Sequence, residues 1–428
     1  MIRCSIREWQ SLAVEGEGCH PFSISRAVAD GFISAANKVR LRGLSPEDIL
    51  VNGHRQLRAQ QVVGVLVTPT ATLEILPKVD ELDAGATRKN LVHMLAKVYD
   101  LGIATGSVTE LDWQKNDLLE ILVSLFCAQL FSALRAGLPR RYVREQADLN
   151  VLRGRLDTQR QFTVLAGSPQ KVACLFEDLS ADIPLNQIMK ATVGCLATIA
   201  RSPLNQKRIK ELGFSYADVS IVPLGQLPWT SVVLDRTNAA WSSLLEFAKL
   251  ILGRRFQTSS IGPGQGFSLL FEMNTLFEEY IGRTLVRSLA GTDWSVSLQG
   301  PRDYVLMEEA TGTRRFATRP DIVLRRDDGA TLVIDTKWKQ LTGNIDDAKR
   351  GVGQADVYQM LAYSHVYDCR RVMLLYPYHR GIGGDEGVLG TYTLPGHEKS
   401  TLFVSAISLE DLASVGPRLR ALVQQAVM

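Results

Sequence analysis

The sequence predicts a mixed α/β chain, α+β overall, with a strand-and-helix region first, a mainly helical middle and an α/β domain last. Three observations carry this. After Phe267 the apolar spacing runs helix, strands, helix, strand, the order of an α/β domain. Just before it, GRRFQTSSIGPGQGF (Gly253–Phe267) concentrates Gly, Ser and Pro and marks the best domain boundary in the chain. From Thr87 to about Arg201 the apolar residues recur mainly at helical spacing.

The elements follow in order. A helix is expected over about Ser25–Arg40, and VVGVLVTPTATLEILPKV (Val62–Val79) reads as two strands around a Thr-Pro-Thr turn. Leu118–Leu134, LLEILVSLFCAQLFSAL, is apolar nearly all round; its length and its Glu120 and Gln129 favour a buried core helix over a membrane span. Arg201–Leu234 is richer in turns, and a helix follows over about Ala239–Leu252. Beyond the boundary come a helix (about Leu269–Leu289), a strand region (about Trp294–Leu306) and a hairpin (Ile322–Arg326, Thr331–Trp338). A helix (about Val352–Tyr367), the apolar strand RVMLLYP (Arg371–Pro377), further strands at Leu389–Leu394 and Leu402–Ile407, and a terminal helix complete the chain. The expected division is 1–85, 86–252, a linker over 253–267, and 268–428.

Composition sets outer limits. At 428 residues about two or three domains are expected, and 46% apolar content supplies their cores. A net charge of +3 does not announce a nucleic-acid binder. The arginines do cluster, at Arg140-Arg141, Arg153 and Arg155, Arg254-Arg255, Arg314-Arg315, Arg325-Arg326 and Arg370-Arg371, as in a phosphate-tracking groove; each pair alone reads equally as a solvated face. The six cysteines are scattered without a CxxC, which fits a reducing, cytoplasmic compartment, and no signal peptide is visible. No G-x-x-x-x-G-K-[ST] occurs, so no nucleotide is expected to bind this chain through a P-loop.

The most informative stretch is RPDIVLRRDDGATLVIDTKWK, Arg319–Lys339. Asp327-Asp328-Gly329 is a turn signal between two apolar strands. A three-residue loop with Gly329 in the left-handed region sets Asp321 opposite Asp335, with Cβ atoms roughly 4.5–5.5 Å apart. A two-residue loop instead pairs Asp321 with Thr336 and sends the carboxylates to opposite faces. Opposed carboxylates repel, and a cation between them relieves this; Mg²⁺ suits one or two carboxylates plus substrate phosphate. Lys337 shares a face with Asp335. Acid-x-Lys occurs again at Asp347-Ala348-Lys349, in a polar loop without strand pattern. The plainer reading of Asp335 and Lys337 is a buried ion pair in a structural scaffold.

Pro320-Asp321…Asp335-Thr336-Lys337 resembles the core of the PD-(D/E)xK nucleases. The resemblance implies a restriction-endonuclease-like domain in which Asp321 and Asp335 bind Mg²⁺, the Thr336 carbonyl adds a ligand and Lys337 assists the attacking water. In FEMNTLFEEYI (Phe271–Ile281), Glu278 matches the acid the family often carries on the preceding helix, whereas Glu279 points further round towards solvent. In QADVYQMLAY (Gln354–Tyr363), Gln359 and Tyr363 lie one helical turn apart and resemble the Gln-x-x-x-Tyr helix of RecB-like nucleases, with roles in steadying the site or touching DNA; Gln354 and Tyr358 repeat the spacing.

A narrower resemblance covers most of the chain. LEILPKV (Leu73–Val79), VLRGRLD (Val151–Asp157), PLNQIMK (Pro184–Lys190), MNTLFEEYI, RPDIVL, IDTKWK, VYQMLAY and LLYP fall in the order of the McrC family, nuclease subunits of McrBC modification-dependent restriction systems. Glu272 stands where Asp is commoner, and the chain before the boundary is long for the family. The resemblance implies a DNA endonuclease cutting methylcytosine-containing DNA, with no membrane. Its N-terminal part, with residues 1–85 as the docking region, would dock into a hexameric ring of an AAA+ GTPase, the McrB-like partner that uses GTP, and stimulate it. Two alternatives are a repair or recombination nuclease of the same fold acting without a GTPase, and a non-catalytic GTPase-activating, DNA-tethering subunit.

Overall fold

The structure, a computed structural model, describes residues 2–14, 23–39, 41, 44–78, 83–103, 110–256, 267–342, 349, 351–395 and 400–427. Most of the expected linker, Gly262–Gly266 included, lies outside them, as do Val79 and the second acid-x-Lys acid, Asp347. The fold is mixed α/β. It forms two compact units whose division does not follow chain order: Met1–Asp100, Val108–Leu119 and Gln257–Met428 make one, Leu101–Ser107 and Glu120–Phe256 the other.

The first unit opens with a four-stranded sheet ordered Ile2–Arg7, Ala71–Leu76, Val62–Val67, Phe267–Glu272. The two strands expected around Thr-Pro-Thr are present, their turn closed by the Thr68 N–H donating to the Ala71 carbonyl at 2.8 Å. Phe267–Glu272 corrects an expectation. These residues read as the start of a helix, yet they form a buried strand, and the helix begins at Met273. A short, fully apolar run carries no period that separates the two. What admits the strand lies some two hundred positions away: Gly64, at φ +130°, faces Leu270, and a Cβ there would come within 2.0 Å of the Leu269 carbonyl oxygen. A second sheet (Ser23–Ile24, Ser11–Val14, Gln56–Ala59, Leu50–Asn52) and the helix Arg26–Asn37, capped by Ser25, build a core around Phe32 and Leu66.

Glu74 sits in the middle of the first sheet, 2% exposed. Arg88 meets it with two bonds of 2.8 Å, and Ser5 Oγ and the Leu118 N–H donate to the same carboxylate. All its lone pairs are thereby occupied, which is the condition for burying a charge.

The unit's second layer is a six-stranded sheet ordered Trp294–Leu298, Ile322–Arg326, Thr331–Thr336, Arg371–Pro377, Ser400–Ile407, Gly387–Leu394. Its three central strands are parallel and its edges antiparallel. Parallel strands are covered on both faces, hence the unbroken apolar run of RVMLLYP. The helix Gln354–Val366 makes the crossover between Thr331–Thr336 and Arg371–Pro377 and buries Met360 and Tyr363 against Val333, Val372 and Leu374. Met273–Ser288 packs against Thr331–Thr336 and against the terminal helix Val415–Val427.

The second unit is mainly helical, as expected, but also holds a three-stranded sheet, Arg141–Leu149, Val172–Ser180 and Arg155–Leu156. Most of Arg141–Leu149 is exposed on both faces, so it lacks the apolar alternation that reveals a strand. The helix Pro203–Ser215 was likewise hidden in a turn-rich stretch, because only Asn205, Ile209 and Leu212 of it are buried. Leu118–Arg135 is, among the described residues, the one helix long and apolar enough to cross a membrane; its Ile121, Phe126, Cys127 and Leu130 are buried in the protein. Its Glu120 accepts from the Arg201 N–H at 2.5 Å and Asn205 Nδ2 at 2.7 Å, which accounts for a carboxylate in that run.

Arg88→Ala is expected to destabilise the chain by about 3–5 kcal/mol, because it strands the Glu74 carboxylate in the core. Urea unfolding measures the loss; replacing Glu74 and Arg88 together by Met should recover much of it.

Candidate active site

The hairpin decides the site. Ile322 pairs with Ile334, Leu324 with Leu332 and Arg325 with Thr331, so the loop is Asp327-Asp328-Gly329 and the register carried outward sets Asp321 opposite Asp335. The Gly329 N–H donates to the Arg326 carbonyl at 2.9 Å and the Arg326 N–H to the Ala330 carbonyl at 2.8 Å, with Gly329 at φ +90°. Of the two registers open to the sequence, the one that opposes the carboxylates is adopted. The left-handed conformation that closes it is one glycine adopts freely.

Around this pair each side chain has a defined place. Asp321 Oδ2 accepts from both the N–H and the hydroxyl of Thr336, each at 2.8 Å. Asp335 is 1% exposed, and its Oδ2 has no aligned hydrogen-bond donor; the Lys337 ammonium stands 2.6 Å away as an ion-pair partner. Lys337 Nζ also donates to Gln359 Oε1 at 3.0 Å. Gln359 Nε2 donates to the Tyr363 hydroxyl at 2.7 Å, and that hydroxyl donates to the Arg319 carbonyl at 3.1 Å, beside Pro320-Asp321. The competing pair, Gln354 and Tyr358, is exposed; Gln354 bonds to Tyr358 and to Lys349 Nζ, at 3.5 Å, and not to the groups around Asp335. Glu278 enters from the preceding helix, with Gln299 Nε2 3.4 Å from its Oε1, while Glu279 lies towards Arg283.

One residue escaped the sequence reading. Asp356 is 6% exposed, takes Lys339 Nζ at 2.9 Å and lies 4.0 Å from Lys337 Nζ. The signal was present: Asp356, Gln359 and Tyr363 fall at i, i+3 and i+7, one face of a helix. An acid on that face had to meet either a cation or an unpaired burial.

The electrostatics follow from crowding. Burial, then the neighbouring Asp321, pushes Asp335 up to about 6. Burial and the same two aspartates push Glu278 up to about 7. Asp321 is raised by burial despite the two Thr336 bonds that oppose the shift. Burial works against the Lys337 charge, but Asp335, Asp356 and Asp321 outweigh it and hold the ammonium protonated.

Whether Mg²⁺ suits this place is tested by the donors themselves. Among the described residues, no group of three His, Cys, Asp or Glu side chains is gathered closely enough to form a protein cage. Mg²⁺ does not require one; two carboxylates, water and phosphate suffice. Two opposed carboxylates and a third nearby fit a small hard cation.

This crowding has a measurable sign. Asp335 and Glu278, and Glu8 with its carboxyl raised to about 7 by burial, keep protons in the folded chain after an unfolded carboxylate has lost them. Their stabilising contribution is complete below the unfolded range near about 4 and is lost as pH rises through about 6–7. In EDTA the melting temperature should therefore fall between pH 5 and pH 8, each at about the edge of that window. Asp335→Asn should flatten the fall and raise the value at the alkaline end by a few degrees, as calorimetry would record; a steeper fall in the variant contradicts this reading of the site.

Comparison with known proteins places the chain. It matches the family described as McrBC 5-methylcytosine restriction system component over residues 57–377. Among solved structures, it is similar to a chain of the refined half-complex from a tetradecameric assembly of Thermococcus gammatolerans McrB AAA+ hexamers with bound McrC. That likeness has a TM-score of 0.76 at 20% identity and covers 99% of each chain. A chain of the cryo-EM structure of the Thermococcus gammatolerans McrBC complex gives a TM-score of 0.55 at 23% identity, covering 67% of this chain and 88% of that one. No curated protein sequence matches it. These structural likenesses establish the fold, and the family match, spanning well over half of the sequence, establishes the lineage: the chain belongs to the family of McrBC 5-methylcytosine restriction system components.

Proposed function

We propose that this chain is the DNA-cutting subunit of a modification-dependent restriction complex, hydrolysing phosphodiester bonds in methylcytosine-containing DNA. The observation that carries the proposal is the pairing register that opposes Asp321 and Asp335, with Lys337 Nζ 2.6 Å from Asp335 and 3.0 Å from Gln359. A scaffold gains nothing from two facing carboxylates; a phosphodiesterase does.

Asp321 and Asp335 would hold Mg²⁺, with Glu278 and the Thr336 carbonyl as further ligands, and the ion would neutralise charge developing on the phosphate. The chain's own groups do the rest. Lys337 is held as an ammonium, so it is a donor and not a base: it orients the attacking water and offsets negative charge at phosphorus. Asp356 and Gln359 fix its position from the helix side. The Gln359–Tyr363–Arg319 chain of bonds ties that helix to the strand end bearing Asp321. The water oxygen bonds to phosphorus, the bond to the 3′-oxygen breaks and the leaving oxygen takes a proton.

The chain would act with an AAA+ GTPase ring, as the assemblies of its structural neighbours suggest, and raise the GTPase rate of that partner. GTP belongs to the partner, since this sequence has no P-loop. The second unit carries exposed Tyr142, Val151, Leu152, Phe162 and Val164 in and beside its three-stranded sheet, apolar surface of the kind a partner covers.

Plasmid cleavage tests the reading, with an McrB-like GTPase partner, GTP and Mg²⁺, on methylated and unmethylated DNA. Wild type should cut only methylated DNA and only with GTP. Lys337→Ala strands the buried Asp335 and should cost about 3–5 kcal/mol in urea unfolding, and under conditions where the variant is folded its rate should still be lower by at least about 100-fold; a purely structural ion pair would leave the folded variant cutting at the wild-type rate. Cutting without GTP points to a stand-alone nuclease; GTPase stimulation without any cutting points to an idle nuclease fold. Replacing Phe162 by Asp should abolish stimulation of the partner's GTPase, measured by phosphate release, without lowering the melting temperature of the isolated chain.

A further inference from the structure

Of the buried acids among the described residues that the chemistry above leaves unused, Glu74 and Glu120 have both carboxylate oxygens bonded and Glu8 has one oxygen without a hydrogen-bond partner. Glu8 follows the strand Ile2–Arg7 and is 2% exposed. Its Oε2 accepts the indole N–H of Trp338 at 2.9 Å and the Lys78 N–H at 3.3 Å, and its Oε1 is buried without a partner among the described residues. A carboxylate in that position is costly, and a residue retained there needs a return.

What Glu8 holds is the residue after Lys337. The strand Thr331–Thr336 ends there: the last ladder bond runs from the Lys337 N–H to the Leu375 carbonyl at 2.9 Å, after which the chain leaves the sheet. Beyond that point two side-chain bonds reach residues that follow strands of the N-terminal sheet, from Trp338 to Glu8 and from Gln340 Nε2 to the Lys78 carbonyl at 3.2 Å, while Lys339 turns back to Asp356. The Trp338 ring, 5% exposed, rests on Phe277 with centroids 5.3 Å apart, and Phe277 immediately precedes Glu278. That helix is itself tied to the first sheet, since the Met273 N–H donates to the Gln61 carbonyl and Asn274 to the Gln61 side chain, both at 3.2 Å. The start of the helix that carries Glu278 and the chain that leaves Lys337 are therefore bonded to residues 61, 8 and 78.

We propose that Glu8 and Trp338 are positioning residues: through their buried hydrogen bond the N-terminal sheet sets where Lys337 and Glu278 stand, so that the nuclease centre is completed by the first eighty residues of the same chain. The inference rests on the nuclease reading above. Asp335, Gln359 and Asp356 hold the Lys337 ammonium, while Trp338 holds the base of its stem; a shift at the base must be absorbed by stem torsions or by those contacts, and small misplacements at a phosphoryl centre are expensive in rate.

The test uses the full chain with its GTPase partner and compares Trp338→Phe, Glu8→Gln and the double variant Glu8→Leu/Trp338→Phe. Trp338→Phe keeps the ring on Phe277 and removes the donor; its kcat should fall about 10- to 100-fold with KM for DNA nearly unchanged. Glu8→Gln keeps an acceptor for the indole and should retain most of the activity. The double variant removes both polar groups and should recover the wild-type melting temperature but not the rate. If it recovers the rate as well, the pair is structural and the proposal fails. A second readout does not depend on cutting: with lysines reductively ¹³C-methylated, the Lys337 signal, assigned by its loss in Lys337→Ala, should shift in Trp338→Phe and return in Glu8→Gln. An inactive wild type would sink the nuclease reading while leaving this measurement to decide the link, and an unmoved Lys337 signal would overturn it.

Discussion

Two carboxylates face each other across a hairpin, and the rest of the C-terminal sheet is arranged around that repulsion. Like charges directly opposed weaken a sheet, and here they lie at the buried end of a central strand, where screening is poor. Each neighbouring group answers part of the difficulty. Thr336 gives Asp321 two hydrogen bonds, Lys337 gives Asp335 a countercharge, and Asp356 and Gln359 keep that lysine from turning away. What remains is a pair of acids with raised proton affinity. A site left in that condition is less stable without a ligand than an apolar sheet would be, and such local deficits concentrate where function requires them.

The register that produces the opposition depends on very little locally. One glycine in the left-handed region closes the loop, and a loop one residue shorter would send the two acids to opposite faces. The register is then over-determined by burial, because Val323 and Val333 belong to one core with Met360, Tyr363, Val372 and Leu374, and a slip would turn them out of it. Turn chemistry proposes the pairing and the core enforces it.

The N-terminal sheet is more than an appendage to this arrangement. It takes Phe267–Glu272 as its fourth strand, across the close approach that Gly64 permits, and so fixes the base of the helix that carries Glu278. It also receives the chain as it leaves the sheet after Lys337. The family match, from residue 57 to residue 377, crosses both sheets and the second unit between them. That span fits a lineage in which the C-terminal sheet and the N-terminal sheet belong to one structural unit.

Much was legible in the sequence where its meaning is local. The Asp-Asp-Gly turn, the apolar strand ending in Asp335-Thr336-Lys337, the one-turn spacing of Gln359 and Tyr363 and the buried character of Leu118–Leu134 all follow from periods and turn preferences within a few residues. The mixed α/β class and the resemblance to the McrC family could be read from the same stretches. Other features depend on what a residue meets after the chain has folded back, and no short period encodes that. Tertiary packing chose the three-residue loop and selected Gln359 and Tyr363 over Gln354 and Tyr358, because only one face of that helix reaches Lys337. It turned Phe267–Glu272 into a strand by supplying a partner some two hundred residues earlier, and it gave Asp356 and Glu8 their partners. The sequence by itself determined which groups are available and in what local order; the tertiary structure decided which of them meet, because contacts between distant segments are selected by burial and not by spacing.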